Sequence, residues 1–176
     1  MLGPPTDGWL ADVGGGTGRV ASALRDLVGR AVVVDLSEAM LRQAAGKDRL
    51  YLVCAQAEAL PFPDASFARV IVVDSFHHFA DQAAAAREVW RVLAPGGRLV
   101  VEEPDIRCLA VRLVALLERL LGFGSRFRTP REIAGAFAGL GARVVAETTD
   151  RFVVRVAAEK PPEGQGREPR PDTASE

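Results

Sequence analysis

Lysine is almost absent from this chain. Of its 22 basic residues only Lys47 and Lys160 are lysine; the rest are arginine. The basic residues are balanced by 23 acidic ones, for a net charge of -1. A near-neutral chain lacks the bulk charge of a nucleic-acid binder, so no nucleic-acid partner is expected. Cysteine is equally scarce. Cys54 and Cys108 alone exclude a disulfide scaffold and a four-thiolate zinc site, and read as reduced thiols of a cytoplasmic protein. Histidine occurs only at 77 and 78, and tyrosine only at 51. Long apolar runs are missing too. The most apolar stretch, Leu109 to Phe123, is broken by Arg112, Glu118 and Arg119, whereas a membrane span needs about 20 apolar residues. The first residues, MLGPPTDGWL, have neither the charged segment nor the apolar core of a signal peptide. The expected location is the cytoplasm, with no membrane span.

What is present fits one globular domain. The chain has 176 residues, 48% of them hydrophobic and 26% charged. That is ordinary soluble composition, and a chain of this length can bury about 70% of its unfolded surface. Disordered, collagen-like and rod-like classes are excluded.

Strand-like and helix-like runs alternate. Gly8 to Val13, Ala31 to Asp35, Leu50 to Cys54, Phe67 to Asp74 and Arg98 to Glu102 read as strands, several of them continuously apolar as strands buried on both faces are. Helical spacing covers Thr17 to Val28, Glu38 to Ala45 behind the N-cap Ser37, and Asp81 to Leu93. Pro95-Gly96-Gly97 is a turn signal. An apolar helix is expected near 107–121, and another near 130–139 with Pro130 at its first position. Ala142 to Thr148 and Phe152 to Ala158 read as an antiparallel pair around a turn at Asp150. The alternation predicts a doubly wound α/β fold with a parallel sheet. From Lys160 the composition turns to Pro, Glu, Gly, Gln and Arg. The domain is therefore expected over 1–159, with 160–176 a disordered polar tail.

Asp12-Val13-Gly14-Gly15-Gly16-Thr17-Gly18 follows a strand and opens a helix. Glycines there let a ligand approach the backbone closely. Such a loop is weak evidence alone, because nicotinamide and flavin enzymes use one too. Asp35, at the end of the next strand, is placed to reach ribose hydroxyls. Asp12 separates the ligands: a carboxylate beside the loop repels a pyrophosphate and favours a cationic nucleoside.

Four segments in order carry a resemblance: the loop at 12–18, Asp35, Ala57–Phe67 (AEALPFPDASF), and Leu93–Leu99 (LAPGGRL). Together they resemble class I S-adenosylmethionine-dependent methyltransferases, closest to the small-molecule enzymes of the ubiquinone/menaquinone-biosynthesis type, over about 10–158. The resemblance implies a seven-stranded Rossmann-like sheet of order 3-2-1-4-5-7-6 with strand 7 antiparallel. It implies that Asp12, Gly14, Gly15, Gly16, Thr17 and Gly18 hold the methionine part and ribose of S-adenosylmethionine, and that Asp35 takes both ribose hydroxyls. Leu36 and Met40 would pack on adenine, with Gln56 and Ala57 at its edge. Many members have aspartate in place of Gln56. Glutamine keeps a carbonyl acceptor but loses the charge-assisted bond. Backbone at Asp74, Ser75 and Phe76 would meet the donor's ammonium. The product would be S-adenosylhomocysteine.

The expected reaction is in-line methyl transfer to a small, hydrophobic or aromatic acceptor, with proximity as the main effect. Candidate bases are His77, His78 and Glu102, with Glu103 and Asp105 alongside. Adjacent histidines on a loop are expected to point apart, and no metal site is expected because a third ligand has no evident place. Three carboxylates at 102–105 would polarise an acceptor or raise one another's pKa, or else form a solvated loop. The helix near 107–121, apolar almost all round, is expected to be buried, to cover the acceptor, or to form a homodimer interface. Six arginines between 105 and 131 against Asp105 and Glu118 would attract an anion, or form a solvated face. Related enzymes carry helices before the first strand. Their lack here implies a minimal or truncated form, or cover supplied by a partner chain. Two alternatives stay open: a partner-dependent or non-catalytic protein that binds S-adenosylmethionine, and a nicotinamide-dependent reductase, disfavoured by Asp12 and by the absence of a Tyr-x-x-x-Lys pair.

Overall fold

Seven apolar strand sequences pair into one sheet in the computed structural model, which describes residues 1–122, 124–148 and 152–162. In chain order the elements are β1 (Thr6–Val13), α1 (Arg19–Leu24), β2 (Val28–Asp35), α2 (Glu38–Ala44), β3 (Leu50–Cys54), β4 (Phe67–Val73), α3 (Gln82–Val92), β5 (Leu93–Pro104), α4 (Leu109–Leu120), α5 (Pro130–Ala138), β6 (Arg143–Thr148) and β7 (Val153–Glu159). The strand order is β3-β2-β1-β4-β5-β7-β6. The first five strands are parallel and β7 runs antiparallel to both β5 and β6. Fold class and strand order are those the sequence led us to expect.

The period of two in each strand divides the core between the faces. Ala11, Val13, Val32, Val34, Val70 and Val72 point to one side, where Ala85, Val89 and Val92 of α3 and Ile133 and Phe137 of α5 cover them. Leu10, Ala31, Val33 and Ile71 point to the other, under Ala21 of α1 and Leu41 of α2. Local chemistry sets the helix starts. The Ser37 hydroxyl accepts the Met40 N–H, Asp81 caps α3 through the N–H groups of Ala83 and Ala84, and Thr129 with Glu132 forms a capping box at α5.

Three details depart from expectation. α1 is short: it begins after Gly18, ends at Leu24 and passes into a 3-10 turn at Arg25–Leu27, where Thr17 to Val28 was expected. Pro95-Gly96-Gly97 is not a turn ahead of the strand but a bulge inside β5, since Phe67 pairs with Leu93 and Arg69 with Arg98. Gly96 has φ of 74°, and this region bonds to Lys160 through Gly96 N–H to Lys160 O (2.8 Å) and Lys160 N–H to Gly97 O (3.0 Å). The Lys160 ammonium also donates to the carbonyls of Trp90 (2.8 Å) and Leu93 (2.7 Å) at the end of α3, where a cation suits the helix dipole. The polar tail expected from 160 falls, from 163 on, outside the described residues, as does the turn at Asp150.

The third departure is α4. It is not a core helix. Only Val111 of α4 is buried, at 8% exposure, while Leu109 is 70% and Leu120 76% exposed, with Leu113, Leu116, Leu117 and Leu121 also exposed. Among the described residues, no helix is long and apolar enough to cross a membrane.

These burial differences predict unequal costs. Phe137→Ala should lower unfolding free energy by about 3–5 kcal/mol, whereas Leu120→Gln, compared at a concentration low enough to keep the chain monomeric, should change it by less than about 0.5 kcal/mol. Urea denaturation checks both, and an equal cost for the two would contradict the placement of α4.

Candidate functional site

The parallel strands present their carboxyl ends on one edge, and the chain reverses direction in the sheet between β1 and β4. Ligands of open α/β sheets bind at that crevice. A cavity of about 470 Å³ lies there. Its floor is the glycine loop. Gly14, with φ of 73°, donates its N–H to Val34 O at 2.7 Å, and a Cβ on it would lie 2.5 Å from the Ser75 side chain. Gly16 donates its N–H to Asp35 Oδ2 at 2.8 Å. The other Asp35 oxygen accepts the Ser37 N–H at 2.8 Å. Each oxygen keeps a lone pair free, so the carboxylate is fixed yet able to accept from a diol.

The walls hold most of the expected donor residues: Asp35, Leu36, Met40, Gln56, Ala57, Asp74 and Ser75, together with Gly14 and Gly16. Glu58, His78 and Phe79 line it as well, and no signal in the sequence singled out Glu58. Leu36 and Met40 keep exposed apolar side chains at this rim, a surface suited to a flat ring. Asp74 has φ of 50°, a strained conformation for a non-glycine residue that concentrates at functional sites. Its N–H donates to Glu102 O at 2.9 Å.

Asp12, Gly15, Thr17, Gly18 and Phe76 do not line the cavity. Thr17 offers its carbonyl to Lys47. Gly18 sits against Leu50 and Val33, and Phe76 is core. Asp12 does not face an incoming ligand as expected. It lies beneath the loop, 1% exposed, where a Cβ on Gly15 would sit 2.5 Å from its Cγ, and it accepts the Ala21 N–H at 3.2 Å. Burial, with a smaller push from Asp35, raises its pKa from 3.8 to about 7 against the pull of the Ala21 bond.

A second cavity of about 440 Å³ adjoins the first, sharing Asp74 and His78. Pro104, Ala110, Val111, Val114 and Phe127 give it apolar walls; His77, His78 and Glu118 supply the remaining polar groups. The two histidines do not point apart. The chain forms a 3-10 turn at Phe76–His78 rather than an extended loop, and the rings lie 4.0 Å apart between centroids. His77 is buried, stacked on Phe127 at 4.3 Å. Its Nδ1 is 2.5 Å from Glu103 Oε2. Glu103 Oε1 accepts the N–H groups of Ser75 (3.0 Å) and Phe76 (2.8 Å). His78 Nδ1 is 3.1 Å from Ser125 Oγ. Burial, then the neighbouring His77, holds the His78 pKa below the usual imidazole value.

Among the carboxylates the assignment shifts by one residue. Glu102 does not line either cavity; it pairs with Arg155 across the β5–β7 ladder. Alternation along β5 turns Glu103 inward instead. Asp105 is not raised: the Arg107 guanidinium, 2.6 Å away, holds its pKa below the ordinary value. Glu118 is the cavity-lining carboxylate that the sequence did not single out. Its spacing from Val111 and Val114 (i+7 and i+4) was the available signal. Its Oε2 is buried with no hydrogen-bond partner among the described residues, and its donor atoms lie within 4.8 Å of those of His77 and His78.

Comparison with known proteins bears on this arrangement. A family model described as "Methyltransferase domain" matches residues 11–101. The ubiquinone/menaquinone biosynthesis C-methyltransferase UbiE of Hahella chejuensis is 39% identical over 104 residues, covering 53% of this chain and 42% of that protein. The chain thus spans less than half the length of the curated relatives it matches. A putative methyltransferase of Haloferax volcanii, solved in complex with the Trm112 methyltransferase activator, superposes with a TM-score of 0.79 at 20% identity, covering 92% of this chain and 86% of that one. The YcgJ protein of Bacillus subtilis gives 0.76 at 20%, covering 91% and 94%. The two structures establish likeness of fold.

Asp12 makes stability depend on pH. A carboxyl whose folded pKa is raised binds more protons folded than unfolded between about pH 4 and 7. Stability therefore falls as pH rises through that window. Asp12→Asn should flatten this slope and raise the unfolding free energy at pH 8 by a few kcal/mol, on the order of 1.4 kcal/mol for each unit of raised pKa. Urea denaturation of both proteins at pH 5 and pH 8 measures it.

Proposed function

Since the chain belongs to the methyltransferase-domain family, we propose that it transfers a methyl group from S-adenosylmethionine to a small, hydrophobic or aromatic acceptor and releases S-adenosylhomocysteine. The observation that carries this reading is the pair of adjoining cavities with a shared wall at Asp74 and His78. A two-substrate transfer needs two such compartments meeting at one point.

The first cavity suits the donor. Asp35 is fixed by two backbone N–H groups and keeps acceptor capacity for ribose hydroxyls. Leu36, Met40 and Ala57 supply apolar contact, and Gln56 an amide, for adenine. The Asp74 turn gives carboxylate and carbonyl oxygens to an ammonium. Asp12 acts from below the loop, through the Ala21 N–H, rather than by touching the ligand.

S-adenosylmethionine, when bound, supplies a methyl group already activated on a sulfonium. The chain's task is to align an acceptor and exclude water, effects that can supply ~7–11 kcal/mol. Phe127, Val111 and Val114 keep the acceptor compartment apolar. Glu103 fixes the His77 ring through Nδ1, which leaves Nε2 to serve the acceptor compartment. The curated relatives are named as C-methyltransferases of ubiquinone/menaquinone biosynthesis, which favours a ring carbon of an aromatic acceptor.

A second reading, a donor-binding protein that turns over only with a partner chain, is favoured by the open apolar face of α4. We propose a homodimer through that face. Leu109, Leu113, Leu116, Leu117 and Leu120 share one side of the helix at the spacing of a helix–helix seam, and such a face is self-complementary about a two-fold axis.

Thermal shift tests the donor site. S-adenosylmethionine or S-adenosylhomocysteine at 100 times its dissociation constant adds ~2.7 kcal/mol, about 5–11 °C for a domain of this size. NADH should give no shift, and Asp35→Ala should abolish the S-adenosyl shifts. No shift with either compound on folded protein would defeat the reading. For the dimer, light scattering should show a two-chain mass that drops to one chain in Leu116→Arg/Leu120→Arg.

A further inference from the structure

Glu118 reaches back from α4 into the second cavity, and its Oε2 ends buried without a hydrogen-bond partner among the described residues. An unpaired buried carboxylate oxygen is costly, so something is expected to meet it. The groups facing it are two imidazoles. His77 has Nδ1 committed to Glu103 at 2.5 Å, and His78 has Nδ1 against Ser125 Oγ at 3.1 Å. In both rings the nitrogen left over is Nε2. One donor atom from each of His77, His78 and Glu118 lies within 4.8 Å of the others.

We propose that His77, His78 and Glu118 form a binding site for a divalent transition-metal cation, with zinc the best match. Two imidazoles and one carboxylate, with the remaining position open, are the donor set of catalytic zinc sites, and such N/O sets also suit other first-row cations. The surroundings are those of a metal centre as well. Metal-binding histidines donate their second ring nitrogen to a carboxylate or another oxygen, which fixes tautomer and orientation; Glu103 and Ser125 occupy those places. Donors bound at ~2.0–2.2 Å in tetrahedral geometry lie about 3.3–3.6 Å apart, so the cluster, whose donors lie within 4.8 Å of one another, closes by up to about 1.5 Å on binding. Val114 and Phe127 line the same cavity and give it apolar walls. The site's role rests on reading that cavity as the acceptor compartment: the cation would take an oxygen of the acceptor, so a hydroxylated aromatic ring suits it.

Zinc uptake by chelator-treated full-length protein, measured by titration calorimetry, is the test, with the visible absorption of the cobalt form reporting the donor set. The expected result is one equivalent of zinc, with affinity weakened at least about tenfold in Glu118→Gln and in His78→Gln, both variants retaining wild-type circular dichroism. Absence of stoichiometric uptake overturns the site. So does uptake unchanged in both variants, or lost instead in Cys54→Ser/Cys108→Ser. The readout is independent of methyl transfer. Zinc uptake without any S-adenosyl thermal shift would defeat the proposed function alone, and the shift without zinc uptake would defeat the metal site alone.

Discussion

One carboxylate ties the functional edge together. Glu103, buried at the end of β5, accepts the N–H groups of Ser75 and Phe76 and holds the His77 ring. These contacts anchor the segment after β4, which would otherwise carry unpaired backbone donors in the interior. Anchoring it fixes the left-handed Asp74, seats Ser75 against the glycine loop through its bond to Val13 O, and sets both histidines on the wall between the two cavities. The two adjoining cavities are therefore built in part from the same turn, which gives both of them Asp74 and His78.

The second constraint is electrostatic. Asp12 is enclosed under the loop and close enough to Asp35 for the two charges to oppose each other. Asp35 is half-buried and takes two backbone bonds; Asp12 is fully buried and takes one. The negative charge at the crevice therefore comes chiefly from Asp35, and Asp12 adds to it in full only above about pH 7.

α4 works against the usual direction of amphipathicity. Its leucines face outward, while Val111, Val114 and Glu118 face the cavity. A helix with an apolar outer face and a carboxylate on its inner face is organised by what it covers and by what covers it. Inside, Glu118 meets the histidine pair. Outside, the leucine stripe lies exposed.

The amino-acid sequence by itself determined the order of strands and helices, because continuous β-branched runs, caps and glycine loops act over a few residues. It also determined the crevice at the carboxyl edge: Gly14, Gly16 and Asp35 lie next to one another through a single strand–loop–strand unit, so spacing was enough. Only the tertiary structure decided the rest. Glu102 and Glu103 are neighbours in sequence, and which one turns toward His77 depends on the register of β5 between β4 and β7. Asp12 went beneath the loop because Gly15 leaves room for its carboxylate there. Glu118 joined the histidines because α4 is rotated to present it, and a helix apolar almost all round carries no local signal of its rotation. Those choices rest on contacts between residues far apart in the chain, where packing rather than local pattern sets the geometry.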